Sequence, residues 1–123
     1  NRLAAGQRLE LDSTINFALG TSTLIVTEDM LATDSAYNTY RNAGLPPTPI
    51  NSPGQAAIEA ALKPAKGDWL YFVTVNPAER ITRFTASYER FLEYKAQFQR
   101  VYAEQVAQGL VDAGPSAANP SQP

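Results

Sequence analysis

The sequence contains neither cysteine nor histidine. Without Cys there can be no disulfide and no thiolate metal site, and without His the commonest proton carrier and metal ligand at neutral pH is missing. Acid/base chemistry would therefore fall to carboxylates, Tyr or Lys, and neither a metal nor a cofactor is expected. Zero Cys suits a cytoplasmic and an extracytoplasmic protein equally, so the redox compartment stays open. Concentrated positive charge is lacking too: 10 Lys and Arg against 12 Asp and Glu give a formal charge of -2 and a pI near 5.0. Phosphate and anionic lipid are recognised by clustered cations; the basic residues here are scattered, so nucleic acid is not an expected partner. No apolar run approaches the ~18 residues of a membrane span, and no charged start followed by an apolar stretch marks a signal peptide.

What is present is 123 residues with 44% hydrophobic content, enough for one compact domain and too little for two ordinary ones. The opening Asn1-Arg2-Leu3-Ala4-Ala5-Gly6 reads as the end of a helix with its Gly stop and has no initiator Met, which leads to the expectation of a piece of a longer protein. Leu9 to Leu11 reads as an extended entry, followed by an N-cap at Asp12 or Ser13 and a brief helix closed by Gly20. Thr27 caps a second short helix whose first turn carries Glu28 and Asp29. Between Asp34 and Pro53 lies a polar segment in which Pro46, Pro47 and Pro49 forbid helix and central strand alike.

Ser52-Pro53-Gly54-Gln55 has the spacing of a capping box, with Pro at the first helical position, and opens a helix that Pro64 ends. Trp69 to Val75 is aromatic and β-branched, followed by the turn signal Asn76-Pro77, and is expected to be a buried strand. Arg80 to Phe84 alternates and should pair back antiparallel, with Ile81 and Thr82 on opposite faces. From Thr85 or Ser87 the residues Tyr88, Phe91, Leu92, Phe98, Val101, Tyr102 and Val106 form a helical stripe ending near Gly109. The expected fold is α+β: a small antiparallel hairpin or sheet, short helices, and one long C-terminal helix within residues 1–110. The remainder, 111–123, is almost without bulky apolar residues from Asp112 on and is expected to be disordered.

Several of these strings resemble a known family. Asn1-Arg2-Leu3, then Leu9-Glu10-Leu11-Asp12-Ser13-Thr14 and Ala18-Leu19-Gly20, are similar to one of its stretches, although here Asp12 directly follows Leu11. Tyr37-Asn38-Thr39-Tyr40, Gly44-Leu45-Pro46-Pro47-Thr48-Pro49-Ile50 and Ser52-Pro53-Gly54 resemble its most specific signature, and Pro64-Ala65-Lys66 with Leu70-Tyr71-Phe72-Val73 resembles the family's next stretch. The resemblance runs from about Asn1 to Phe84 and is to the MltG or YceG-like endolytic transglycosylases of the bacterial cell wall. It implies a membrane-anchored, extracytoplasmic parent that cuts peptidoglycan glycan strands to leave 1,6-anhydro-muramic ends, and cell-wall synthesis proteins as a second class of partner. It also implies a single catalytic Glu upstream of the Asn1-Arg2-Leu3 segment, so that no catalytic residue is expected in this chain and the chain alone should be inactive. The sequence departs from the pattern at Thr82, where many members carry a His, and no role of that His transfers.

Glycosidic cleavage usually takes two carboxylates. A lytic transglycosylase can work with one, because the muramic sugar's own C6 hydroxyl is the nucleophile and a single Glu can donate and then accept the proton. The expected contribution of this chain is a wall of the sugar groove. Asp12 and Thr14 are candidates for sugar hydroxyls, with plain helix capping as the other reading. Tyr37, Asn38 and Tyr40 combine aromatic faces with an amide suited to an N-acetyl group, with loop packing and an Asx-turn as the other reading. Glu10, Glu28, Asp34 and Glu59 read as solvated or capping acids. A noncatalytic glycan- or partner-binding module is the first alternative. The second is aminodeoxychorismate lyase, a label the same family has carried; it would need a pyridoxal-binding lysine, whereas Lys63 and Lys66 read as helix-end charges outside any phosphate-cradling loop.

Overall fold

The computed structural model describes residues 1–111. Its elements are α1 (Asp12–Leu19), α2 (Glu28–Leu31), α3 (Gln55–Leu62), β1 (Tyr71–Asn76), β2 (Ile81–Thr85) and α4 (Tyr88–Ala107). This is the expected α+β arrangement of short helices, an antiparallel hairpin and one long C-terminal helix. The disorder expected for the tail falls, from Asp112 on, outside the described residues. The described residues form two compact units, one of residues 2–67 and one of residues 68–111 with Asn1.

In the first unit, residues 2–7 close on themselves through Gly6 N–H to Leu3 O and Gln7 N–H to Arg2 O, at 3.1 and 2.9 Å. This is the bond pair of a helix end. α1 begins one or two residues earlier than its composition suggests. Leu11, in extended backbone, is the N-cap without a side-chain cap bond, and Asp12 is already the first helical residue. Asp12 and Ser13 are thus not caps. The capping oxygen comes from elsewhere in the chain, since the Leu11 N–H donates to Thr39 Oγ1 at 2.9 Å. The far end of α1 is closed as expected by Gly20, whose φ of 68° is the left-handed conformation that costs a Cβ-bearing residue energy. Asn16 then fixes the exit, its Oδ1 accepting from the Thr21 hydroxyl at 2.7 Å and its Nδ2 donating to Thr23 O at 3.0 Å.

α2 carries the Thr27 cap, whose hydroxyl accepts from Met30 N–H at 3.3 Å. Residues 33–54 contain no helix or strand, as the prolines require. α3 starts two residues later than the capping-box spacing implies: Gly54 is the N-cap, no side chain caps it, and Gln55 instead reaches Glu59 along the helix at 2.9 Å. Lys63 leaves the helix with φ -132° and ψ 71°, a departure from helical geometry that the following Pro64 imposes.

The second unit is built on the hairpin. β1 and β2 pair antiparallel with Tyr71 opposite Thr85, Phe72 opposite Phe84 and Thr74 opposite Thr82, and a bulge lies between Thr74 and Asn76. Only two strands are present in this sheet, so α4 covers one face and the other is open. The expectation of a buried strand is corrected accordingly. Val75 is buried, while Phe72 and Phe84 on the open face are 53% and 55% exposed. On the covered face Tyr71 stacks on Phe91 of α4 at 5.1 Å between ring centroids.

α4 begins at the Ser87 cap, which accepts from Arg90 N–H at 3.2 Å. It ends through Gly109, φ 72°, with Leu110 N–H on Gln105 O at 2.8 Å. Gln105 is the one buried polar residue among the described residues of this unit. It donates to Asn76 Oδ1 at 2.5 Å and accepts from Ala78 N–H at 3.2 Å, pinning the hairpin turn to the last turns of α4.

Candidate functional site

The polar residues singled out in the sequence meet around the N-terminus of α1. The Tyr40 hydroxyl donates to Asp12 Oδ1 in a short hydrogen bond. Asp12 is exposed and Tyr40 half-buried. Burial above all, then the hydrogen bond to Asp12 and its charge, and the charge of Glu10, push the Tyr40 phenol well above the usual tyrosine range, with Arg2 pulling the other way. Tyr40 therefore stays a neutral donor across the physiological range, and its proton is committed to Asp12.

Behind this pair stands a buried polar knot. Asn38, Thr14 and Thr39 are 0%, 0% and 2% exposed. The Asn38 amide donates to Leu31 O and Thr33 O, each at 2.8 Å, while its Oδ1 accepts from Tyr40 N–H at 2.9 Å. The last of these is an Asx-turn, and the two donated bonds staple the loop to the end of α2. Neither Asn38 nor Thr14 has surface to offer a sugar. Their polar atoms are engaged within the chain, those of Asn38 with Leu31, Thr33 and Tyr40 and that of Thr14 with Leu11 and Thr39.

Further contacts hold the rim. Arg8 donates to Tyr40 O at 2.9 Å, and Arg2 donates to the carbonyls of Arg8 and Leu9 at 3.0 and 3.1 Å and reaches Glu10 Oε2 at 3.4 Å. Thr39 and Arg8 escape a reading of the sequence because their partners lie 25 to 32 residues away, and Arg2 because its partners are mostly backbone carbonyls. A hydroxyl or guanidinium carries no sequence mark of such a role.

Tyr37 belongs to a different face. Its ring packs against Phe17 at 4.9 Å, and its hydroxyl meets Thr48 Oγ1 at 2.7 Å. Asp12 and Phe17 are separated by about 140° around the α1 axis at 3.6 residues per turn, so Tyr37 and Tyr40 flank α1 rather than lie side by side. The Tyr37–Thr48 bond ties α1's aromatic flank to the proline-rich segment.

A pocket on α3 is lined by Ala56, Glu59, Ala60, Leu62 and Lys63, none of them among the residues singled out for sugar contacts. Lys63 and Lys66 are both exposed. Among the described residues no group of three or more carboxylates is placed to hold a metal ion, and no helix is long and apolar enough to cross a membrane.

Comparison with known proteins places this arrangement. The sequence model of the YceG-like family matches residues 1–97. An endolytic murein transglycosylase of Bacillus subtilis (strain 168) is 43% identical over 79 residues, covering 64% of this chain and 22% of the relative. A protein of the same name from Streptococcus pneumoniae (strain D39) is 38% identical over 78 residues, covering 59% of this chain and 14% of the relative. The crystal structure of a yceG-like protein from Listeria monocytogenes matches with a TM-score of 0.70 at 43% identity, over 76% of this chain and 30% of that one. The chain thus spans less than a third of the length of these proteins. With the match running from Asn1 through the hairpin into α4, and the fold shared with a solved relative at that identity, the chain belongs to the YceG-like family.

Proposed function

We propose that residues 1–110 are part of the catalytic domain of an extracytoplasmic, membrane-anchored lytic transglycosylase acting on peptidoglycan glycan strands, and that they supply one wall of its glycan groove. The observation that carries this reading is the family match over residues 1–97, with relatives at 43% and 38% identity that bear the name endolytic murein transglycosylase. In this reading the proton donor is a Glu carried by polypeptide upstream of the Asn1-Arg2-Leu3 segment, and the products end in 1,6-anhydro-muramic acid.

The geometry supports a division of labour within the wall. Asp12 and Tyr40 form the glycan-facing polar pair, since Asp12 is exposed and Tyr40 half-buried at the rim of the knot. Tyr37, whose ring is half-buried against Phe17, offers an aromatic flank for the apolar face of a sugar. Thr14 and Asn38 act from behind, Thr14 through Leu11 O at 2.7 Å and Asn38 through Tyr40 N–H. A preformed wall of this kind lowers the ordering cost of binding a flexible strand.

The test is digestion of purified peptidoglycan by a chain extended upstream, read by mass spectrometry of the released fragments. Anhydro-muramic products that vanish when one upstream Glu is changed to Gln are the expected result. The 123-residue chain alone should release none. An extended chain that binds glycan strands yet never cleaves them would replace this reading with a noncatalytic cell-wall module.

A further inference from the structure

The hydroxyl protons around Leu11 can be assigned one by one. Thr14 Oγ1 donates to Leu11 O at 2.7 Å, which uses its only proton. The contact between Thr14 Oγ1 and Thr39 Oγ1 at 2.9 Å must then have Thr39 as donor. Thr39 Oγ1 in turn accepts from Leu11 N–H at 2.9 Å. The result is a closed ring in which two buried hydroxyls hold the N–H and the C=O of a single residue, the one immediately before Asp12.

Thr39 grips the chain a second time through its backbone, where its carbonyl accepts from Glu10 N–H at 3.3 Å. Glu10 has φ 51°, a left-handed conformation that is unfavourable for a residue with a Cβ and persists where surrounding contacts enforce it. One buried residue therefore fixes both the turn at residue 10 and the peptide groups at residue 11, and with them the direction in which Asp12 leaves the backbone.

We infer that Thr39 is a positioning residue for the Asp12–Tyr40 pair, holding residues 10 and 11 so that the Asp12 carboxylate meets the Tyr40 hydroxyl and turns its second oxygen outward. The proposal rests on the reading of that pair as the glycan contact. Because the Tyr40 proton goes to Asp12, the pair offers acceptor oxygens only. The ligand groups it suits are donors, the acetamido N–H and the hydroxyls of an amino-sugar strand.

The experiment is a spectroscopic titration of Tyr40 in the 123-residue chain, isolated by difference against Tyr40→Phe. Thr39→Val keeps the shape and removes the hydroxyl; Thr39→Ser keeps the hydroxyl. The expected result is that Thr39→Val lowers the pH of Tyr40 ionisation by the part that the Asp12 bond contributes, the larger part due to burial remaining, with a several-fold loss of affinity for a peptidoglycan tetrasaccharide, and that Thr39→Ser restores both. A folded Thr39→Val chain whose Tyr40 titrates as in the parent overturns the positioning role. Should Thr39→Val not fold, amide exchange in the unmodified chain decides: protection at Leu11 matching the interior of α1 upholds the ring, and free exchange there overturns it. The underlying contact reading is judged separately by Asp12→Asn, whose unchanged tetrasaccharide affinity would remove the glycan from the account without altering the Tyr40 result.

Discussion

Each of the two units of the chain is held together within itself by a different means. Around α1 the buried residues are mostly polar, with Thr14 bonded to Thr39 and Asn38 bonded to Leu31, Thr33 and Tyr40, beside Ile15. In the second unit, the contact between hairpin and α4 is aromatic, with Tyr71 stacked on Phe91 and flanked by Tyr88 at 5.7 Å, and one polar pin at Gln105. Apolar packing tolerates sliding and substitution of similar volume. A saturated polar knot has one arrangement, and any missing partner leaves a buried group unsatisfied. The knot lies beside the exposed Asp12 carboxylate and its Tyr40 partner, and the aromatic packing lies between the hairpin and α4.

The contrast can be broken most sharply at Asn38. Replacing it with Ala strips bonds from two carbonyls and one N–H in a site with no exposure. A loss of about 3 kcal/mol is expected at ~1–3 kcal/mol per unsatisfied buried group with partial relief by water, read by chemical denaturation. A change below ~0.5 kcal/mol would mean that the knot is not cohesive. At Gln105, substitution by Leu keeps the packing but frees Ala78 N–H and Asn76, and about 1–2 kcal/mol is expected, with faster amide exchange confined to the hairpin turn. The cap at Ser87 should be worth about 1 kcal/mol in a Ser87→Ala chain, visible as fraying of the first turn of α4 by NMR.

Tyr40 gives the contrast a pH axis. Its folded value lies above the unfolded value of about 10, raised first by burial and then by Asp12. The folded state consequently holds the phenol proton where the unfolded chain has begun to release it. The contribution is fully present below pH ~10 and is lost as pH rises from there toward the folded value. The fall of stability with pH should therefore set in near pH ~10 and be shallower in Tyr40→Phe, as followed by chemical denaturation with circular dichroism. Smallest of all, Phe72→Ser on the open hairpin face should shift stability by no more than ~0.5 kcal/mol, because the side chain is 53% exposed.

How much of this is legible in the sequence varies by residue. The Thr27 and Ser87 caps, the Gly20 stop, the Pro64 break and the hairpin turn are readable, because each depends on residues within four positions of one another. The N-terminus of α1 is misread at Asp12, since the capping hydroxyl belongs to Thr39, 28 residues away from Leu11. α3 is started too early because Ser52 matches a spacing whose side-chain bond does not form. The hairpin reads as a buried strand from its composition, which says that Phe72 and Trp69 are apolar and not whether anything covers them. In the candidate site, Asp12, Thr14, Tyr37, Asn38 and Tyr40 stand out by type and by family resemblance. Which of them face outward cannot be read from type.

Local composition therefore determined the elements, their order, and the exclusion of thiol and imidazole chemistry, because these depend on which atoms each residue carries and on interactions along a few consecutive residues. Only the tertiary structure decided that Asn38 and Thr14 face inward, that Tyr40 reaches Asp12, and that Thr39 closes a ring on Leu11. Those pairings join segments some 25 to 28 residues apart. Their geometry exists only once the intervening chain has folded and excluded the water that would otherwise satisfy the same polar groups.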